Sequence, residues 1–297
     1  MDVKTFTDQL DPKAFMAKPG SKIKLKHFDP NYTAEIKHRA DVKGVLQAGI
    51  EALATYQDIL YAQDTYALLI IFQAMDAAGK DGTIKHVMSG LNPQGCQVFS
   101  FKAPSSEELD HDYLWRSFKA LPERGRIGIF NRSYYEETLV VRVHPDLLEK
   151  QKLPQGTQNT NIWEQRFTEI NHFEKYLVDN GIIVLKFFLN VSKEEQKQRF
   201  LDRINLPEKN WKFSENDVTE REFWDDYMQA YEAVFTHTST EWAPWHIIPA
   251  NNKWFTRLVV AYFIEQKLKA LKLSYPKVTE EHQQQLLKAK KVLKNER

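Results

Sequence analysis

The sequence predicts an α/β fold of three layers, helices on both faces of a five-stranded parallel sheet, with a helical lid. Two observations carry this expectation. Apolar runs at 67–72, 97–99, 126–130, 182–189 and 245–249 alternate with segments of helical periodicity. The longest runs, Ala67-Leu68-Leu69-Ile70-Ile71-Phe72 and Ile182 to Leu189, are nearly continuous in their apolar character, which suits strands buried on both faces. In such a sheet ligands sit outside the carboxyl ends of the strands. The residues just after Phe72, Phe99, Phe130 and Leu189 are therefore the ones to inspect for chemistry.

Taken in order, residues 1–32 read as irregular, broken by Pro12, Pro19 and Pro30. Within them Lys22, Lys24 and Lys26 alternate with apolar residues, so an extended chain would put three ammonium groups on one side, as a basic track or as a solvated arm. From about Thr33 to Ala62 the pattern is helical, with Leu46, Ile50, Leu53 and Leu60 on one stripe. After the first strand a short helix is expected from Gly82 to Ser89, stopped by Gly90 and Pro93. Ser105 and Glu108 form a capping box that opens a helix to about Ala120. Asp110-His111-Asp112 would fall inside it, where adjacent side chains diverge, and is read as structural. A helix near Trp163–Val178 ends at Asn180-Gly181, and a long amphipathic helix runs from about Lys253 to Leu271. Trp224, Trp242 and Trp245 are read as core or lid packing. The tail after Pro276 is polar and partly helical, with Lys288, Lys290, Lys291, Lys294 and Arg297 on a solvated face. There is no repeat and no low-complexity linker, so residues 1–297 form one domain: an N-terminal arm and helix at 1–65, a lid at about 192–225 and a tail at 277–297.

Composition excludes more than it identifies. The 297 residues are 42% hydrophobic and 27% charged, an ordinary globular balance. With 41 basic and 40 acidic residues the net charge is +1, so any polyanion must be met by local clustering and no nucleic-acid partner is expected. Cys96 is the single cysteine, which fits a reducing compartment. The start MDVKTFTDQLDPKAF has no apolar core of a secretory signal, and no apolar run is long enough to cross a bilayer, so the expectation is a cytoplasmic protein without a membrane partner. The nine histidines show no metal-ligand spacing.

The first loop carries the strongest chemical signal. FQAMDAAGKDGT, residues 72–83, is close to the phosphate-binding pattern G-x-x-x-x-G-K-[ST], in which backbone N–H groups at a helix N-terminus cradle anionic oxygens. Ala77, Ala78, Gly79 and Gly82 would form the cradle and Lys80 would add a point charge. Ala74 replaces the first glycine and Asp81 replaces the hydroxyl that ordinarily ligates Mg2+. Asp76 and Asp81 are hard oxygen ligands able to hold Mg2+ directly or through water, and Thr83 is a weaker substitute one turn late. After the third strand come Asn131, Arg132, Glu136 and Glu137: Arg132 could fork onto a phosphate, and the glutamates could position the metal or an acceptor, or else merely open a helix. Ser192 and Glu195 form a second capping box, and Arg199 and Arg203 follow on one helix face. They read as lid cations over a transferred phosphoryl group, or as a salt-bridged surface helix with Glu195–Arg199 as its pair.

Several long segments together resemble the polyphosphate kinase 2 family: MDAAGKDG at 75–82, LDHDYLWR at 109–116, IGIFNRSYYEE at 127–137, EEQKQRFLDRI at 194–204 and WKFSEND at 211–217. The resemblance runs from about Lys22 to Leu271. It implies a P-loop kinase-like fold and reversible, Mg2+-dependent transfer of a terminal phosphoryl group between inorganic polyphosphate and AMP, ADP or ATP, in the class that accepts both nucleoside mono- and diphosphates (class III). By position it implies Asp76 as the metal-organising carboxylate, Lys80 as the phosphate lysine, Arg132 as the arginine after the third strand, Arg199 and Arg203 as lid cations and Lys212 as a further lid contact. It also implies a homo-oligomer. Relatives have Asp-Arg-Ser where this chain has Asn131-Arg132-Ser133, which puts metal ligation at 131 in question. Relatives that favour diphosphate acceptors have Asn where this chain has Glu136, which points to monophosphate acceptance. The residues by themselves leave open an ATP-dependent nucleoside monophosphate kinase and a non-catalytic nucleotide- or polyphosphate-binding module.

Overall fold

The computed structural model describes residues 3–154, 156–157 and 161–296; Arg297 of the basic tail lies outside them. Five parallel strands, β1 (Ala67–Gln73), β2 (Cys96–Ser100), β3 (Ile127–Asn131), β4 (Ile182–Asn190) and β5 (Trp245–Pro249), lie in the order β2-β3-β1-β4-β5. The helices, in chain order, begin with α1 (Val3–Gln9), α2 (Lys43–Gln63), α3 (Lys80–Val87), α4 (Ser106–Leu109) and α5 (Trp115–Lys119). After β3 come α6 (Val140–Val143), α7 (Asp146–Glu149) and α8 (Ile162–Asp179), and after β4 α9 (Lys193–Asn205), α10 (Glu215–Thr219) and α11 (Trp224–Thr238). The chain closes with α12 (Lys253–Ala270) and α13 (Glu280–Asn295).

Side-chain alternation on β4 shows why the sheet has two covered faces. Phe187 meets Phe72 and Phe263 of α12, whereas its neighbour Phe188 meets Tyr231 and Phe235 of α11. Successive strand residues point to opposite faces, so α12 and α11 lie on opposite sides. All seven residues of β1 are buried, as the central strand of a three-layer fold requires. The first-strand register pairs Phe72 with Asn131 of β3, which sets the loop after β1 beside the loop after β3.

A buried polar network supports the second of those loops. Lys186 of β4 and Glu174 of α8 are both fully buried, with Nζ and Oε2 2.6 Å apart. Lys186 also donates to the Tyr135 hydroxyl and to the Thr238 carbonyl, while Tyr134 and Tyr135 both donate to Glu174 Oε1. Burial pushes the Lys186 ammonium down and the two phenols well up, so in the folded protein both tyrosines stay protonated and donate to Glu174, while the Tyr135 oxygen also accepts from Lys186. The network thereby pins residues 134–135 against α8, two residues beyond Arg132.

The structure departs from the sequence expectations at several places. A short helix, α1, stands in the N-terminal region expected to be irregular; left-handed Ala34 (φ 48°) and Glu35 (φ 63°) break the helical run expected from Thr33, and α2 starts only at Lys43, after a 3-10 turn at Arg39–Val42. The capping box at Ser105 and Glu108 is present, but the helix it opens stops at Leu109, because Asp112 turns its carboxylate onto the Leu114 N–H and breaks the run. Asp110-His111-Asp112 therefore lies in a turn and not within a helix. Helix α3 begins at Lys80, not at Gly82. A 3-10 turn at Leu25–His27 ends the alternation of the N-terminal lysines, and Lys24 is spent on Glu232, 2.5 Å away. Helix α11 was not anticipated; its sequence carries Trp224, Tyr227, Tyr231 and Phe235, all buried.

Two stability predictions follow from the buried groups. His246 of β5 is packed against Phe263 and Phe187, and burial lowers its pKa to about 4. The unfolded chain then binds a proton that the native state refuses, so stability falls as pH drops from 6.5 towards 4, by up to about 3 kcal/mol. Urea unfolding of His246→Leu should lack this component between those pH values. Lys186→Met leaves Glu174 buried without its cation and should cost about 3–5 kcal/mol in the same assay, and the double variant with Glu174→Leu should recover much of the loss.

Candidate active site at the carboxyl edge of the sheet

Residues 74–79 connect β1 to α3 through a tight turn. Gly79 sits at φ 110°, a backbone conformation that a side chain strains, and Ala77 occupies the left-handed region at φ 59°. Ala74 needs no glycine because its φ is not positive, which accounts for the departure from the phosphate-loop pattern at that position. The loop carbonyls are drawn inward by cationic and amide donors. Lys80 Nζ donates to the Ala74 carbonyl at 2.9 Å, and Gln196 of α9 donates to the Asp76 carbonyl at 2.9 Å. Arg199 donates to the carbonyls of Ala77 and Ala78 through Nη1 and of Ala250 and Asn251 through Nη2. Its Nε pairs with Glu195 at 2.8 Å. Arg199 is thus a clamp between the loop and the segment after β5, and the Glu195 pair anticipated from helical spacing is also present. Gly82 and the buried Thr83 lie on the first turn of α3.

The loop after β3 is held as tightly. Arg132 is left-handed at φ 65°. Its Nη2 donates to Asp76 Oδ1 at 2.7 Å, and its Nη1 lies 3.5 Å from Glu136 Oε2. Glu136 first, then Asp76, hold the Arg132 guanidinium firmly protonated against the cost of burial. The Asn131 amide donates to Asp81 Oδ1 at 2.7 Å. An aspartate at 131 would face that carboxylate with like charge; the carboxamide instead makes a hydrogen bond. Lys80 is buried, and its pKa is lowered by that burial and next by Arg132, against the raising effect of Asp76, Glu136 and Asp81. Arg203 pairs with Asp217 at 2.9 Å, and the Asp217 carboxyl is pushed up by burial and by nearby Asp76.

Most of these groups border one cleft of about 780 Å3, whereas Glu136 and Asp217 border a smaller cavity beside it. The lining of the cleft brings together Asp76 to Thr83, Asn131, Arg132, Arg199, Arg203 and Lys212, as the sequence reading expected. Of four further cations, Lys209 falls within the expected lid at about 192–225, whereas Lys102, Lys253 and Arg257 were not anticipated. Lys253 and Arg257 are four apart in the first turns of α12, a pattern that any solvated helix can show, so the sequence held no distinguishing signal for them. In all, nine cationic side chains face three carboxylates, those of Asp76, Asp81 and Asp202. Glu137 is not brought to this group. It is buried, accepts from Arg166 Nε at 3.1 Å and from Gln151 at 2.7 Å, and burial raises its pKa. Among the described residues no three carboxylate, imidazole or thiolate groups converge to hold a metal by themselves. Arg132 borders two smaller cavities as well, of about 280 and 210 Å3. What the arrangement offers chemically is a cationic trough with a phosphate-loop turn at its floor and isolated carboxylates at its edge.

Comparison with known proteins agrees with this geometry. The model of the family "Polyphosphate kinase 2" matches residues 35–276. An ADP-polyphosphate phosphotransferase of Rhodopseudomonas palustris is 48% identical over 286 residues, covering 96% of this chain and 99% of that protein. An AMP/ADP-polyphosphate phosphotransferase of Meiothermus ruber is 43% identical, covering 89% and 95%. The crystal structure of polyphosphate kinase 2 from Arthrobacter aurescens TC1 superposes with a TM-score of 0.82 at 40% identity, covering 92% of this chain and 97% of that one. A chain matched over so much of its length, on a five-stranded parallel sheet with a phosphate loop after β1, belongs to the polyphosphate kinase 2 family.

Proposed function

We propose that this protein transfers the terminal phosphoryl group of inorganic polyphosphate to AMP and ADP, reversibly, in a Mg2+-dependent reaction. The observation that carries the reading is the excess of nine cations over three carboxylates in a cleft floored by a phosphate loop. A donor made only of linked phosphates offers no base or sugar to grip, so charge must do the holding. The names of the Rhodopseudomonas and Meiothermus relatives support the same donor and acceptors.

The roles follow from position. The acceptor oxygen and the leaving phosphate are both anionic, so little general-base help is needed and the work is alignment and neutralisation. Lys80, supported on the loop carbonyls, meets the donor phosphates together with Gly79 and the start of α3. Arg132, at the junction of all three cavities, bridges donor and acceptor. Arg203 and Lys212 close from the segment 192–225, which acts as the lid of a single domain, while Arg199 sets the loop shape. Mg2+ commonly takes one or two protein carboxylates and fills its shell with water and phosphate oxygens, a demand that Asp76 and Asp81 meet with Glu136 nearby. When bound it would neutralise charge on the transferred group. Glu136 touches Arg132 from the acceptor side and is assigned to placing the shorter monophosphate acceptor. The same reading takes the protein as a cytoplasmic homo-oligomer. Among the described residues no helix is long and apolar enough to cross a membrane, and Leu286, Leu287, Val292 and Leu293 offer exposed apolar surface along α13.

Chromatography of nucleotides after incubation with Mg2+ and polyphosphate tests the activity: ADP should form from AMP and ATP from ADP. Product from ATP plus AMP alone, with none from polyphosphate, would make the enzyme a nucleotide-dependent kinase instead. Lys80→Ala and Arg132→Ala should each lower kcat at least about a hundredfold, about 3 kcal/mol of transition-state stabilisation, with the melting temperature little changed. Near-normal turnover in either would remove that residue from the reaction. Glu136→Asn should depress the reaction with AMP more than that with ADP.

A further inference from the structure

The phosphate loop is strained where Asp76 meets Ala77, and a buried glutamine holds it there. Ala77 is left-handed at φ 59°, a conformation that a residue with a side chain keeps only where its surroundings enforce it. Gln196 of α9 is 1% exposed and donates through Nε2 to the Asp76 carbonyl at 2.9 Å. Its Oε1 accepts from Arg221 Nη1 at 2.5 Å, and the same Nη1 lies 3.1 Å from the Lys193 carbonyl. These partners fix which way the amide faces. A guanidinium only donates and a carbonyl only accepts, so Oε1 must face Arg221 and Nε2 must face Asp76. The turn that carries Arg221 is itself tied down. Its neighbour Glu220 accepts from the Tyr227 hydroxyl at 2.6 Å and lies 3.0 Å from His144 Nε2.

We propose that Gln196 is a positioning residue for phosphoryl transfer, oriented by Arg221: by holding the Asp76 carbonyl it sets the Asp76–Ala77 peptide, and with it the placing of the Asp76 carboxylate and of the Ala77 N–H. The assignment rests on the proposed transfer from polyphosphate and adds two residues to it, neither of which borders the large cleft. In a trans peptide the N–H and C=O point opposite ways. Turning the Asp76 carbonyl onto Gln196 therefore turns the Ala77 N–H away from it, and Ala77 lines the cleft. The Asp76 carboxylate meanwhile accepts from Arg132 at 2.7 Å, so this one peptide governs how the loop after β1 meets the loop after β3. Arg199, three residues on and on the same face of α9, holds the next two carbonyls of the loop. The two side chains differ in charge. Arg199 is a cation that borders the cleft, whereas Gln196 is neutral and shapes the loop without adding to the crowding of like charge.

Two variants separate the hydrogen bonds. Gln196→Met keeps the length of the side chain and removes both; Gln196→Glu keeps the acceptor for Arg221 and loses the donor to Asp76. Crystal structures of both should show the Asp76–Ala77 peptide turned over, Ala77 out of the left-handed region and the Asp76–Arg132 contact broken. With polyphosphate as donor, kcat should fall at least about tenfold in each, while the KM for AMP stays within about twofold of the wild type. Arg221→Met should fall less far, and the double variant Gln196→Met/Arg221→Met no further than Gln196→Met alone, because Arg221 acts through the glutamine. A peptide that stays in place, a kcat close to that of the wild type, or additive losses in the double variant would overturn the assignment. A rise in the KM for AMP as large as the fall in kcat would overturn it too, since it would mark a general loosening of the site. Each Gln196 variant carries both readouts, so one that fails to fold leaves the other to decide. A wild type that does not use polyphosphate would sink the proposed reaction, and the crystal structures would still decide whether Gln196 sets the peptide.

Discussion

Crowding of like charge is the constraint to which the rest of this site answers. Lys80, Arg132, Arg199 and Arg203 converge at one sheet edge with five more cations around them. In a partly desolvated cleft their repulsion is screened far less than in water. Each is answered locally by oxygen: Arg132 by Asp76 and Glu136, Arg203 by Asp217, Arg199 by Glu195 and four carbonyls, Lys80 by the carbonyls of its own loop. The lowered pKa of Lys80, to which Arg132 contributes after burial, is a direct trace of that repulsion.

These pairings differ in how easily they can be exchanged. Carbonyl partners are neutral, so Lys80 keeps its full charge available to the cleft, whereas Arg199, held by four carbonyls and by Glu195, keeps the loop in shape with part of its charge cancelled. Carboxylate partners cancel charge. Arg132 and Arg203 must be shared with, or released by, Asp76, Glu136 and Asp217 before they act fully on phosphate. In the proposed reaction one oxygen anion replaces another, and the free-energy change for each arginine is small compared with that of uncovering a bare guanidinium. A donor phosphate that arrives with a divalent cation brings a ligand for Arg132 and a counter-ion for Asp76 together.

Rigidity comes from the layer behind the site. Arg132 holds a left-handed backbone, which surrounding structure must enforce. On one side it follows β3, whose register against β1 aligns the two loops; on the other, Tyr134 and Tyr135 are tied to Glu174 and Lys186 in the interior. Glu137 and Arg166 extend this frame to Tyr113, whose ring faces the Arg166 guanidinium at 4.2 Å. A buried ion pair is a costly way to gain stability, and here its evident product is the position of residues 132–137.

Much of this protein was legible in one dimension. Continuous apolar runs marked the strands, because residues buried on both faces of a parallel sheet need no alternation, and Gly79-Lys80 after such a run marked the phosphate loop. Local signals, such as the Ser105–Glu108 box and the Glu195–Arg199 spacing, were also read correctly, since both partners lie within one helical turn. Tertiary packing decided the rest. Strand order set the β1 loop beside the β3 loop, so that Arg132 meets Asp76 and Asn131 meets Asp81 across separations of 56 and 50 residues. It also turned Arg199 inward as a clamp, sent Glu137 away from its neighbour Glu136, and added Lys253 and Arg257 to the cleft. A side chain's partner is chosen by what the fold brings within about 3 Å of it, and for charged residues on helices and turns the sequence alone carries no record of that choice.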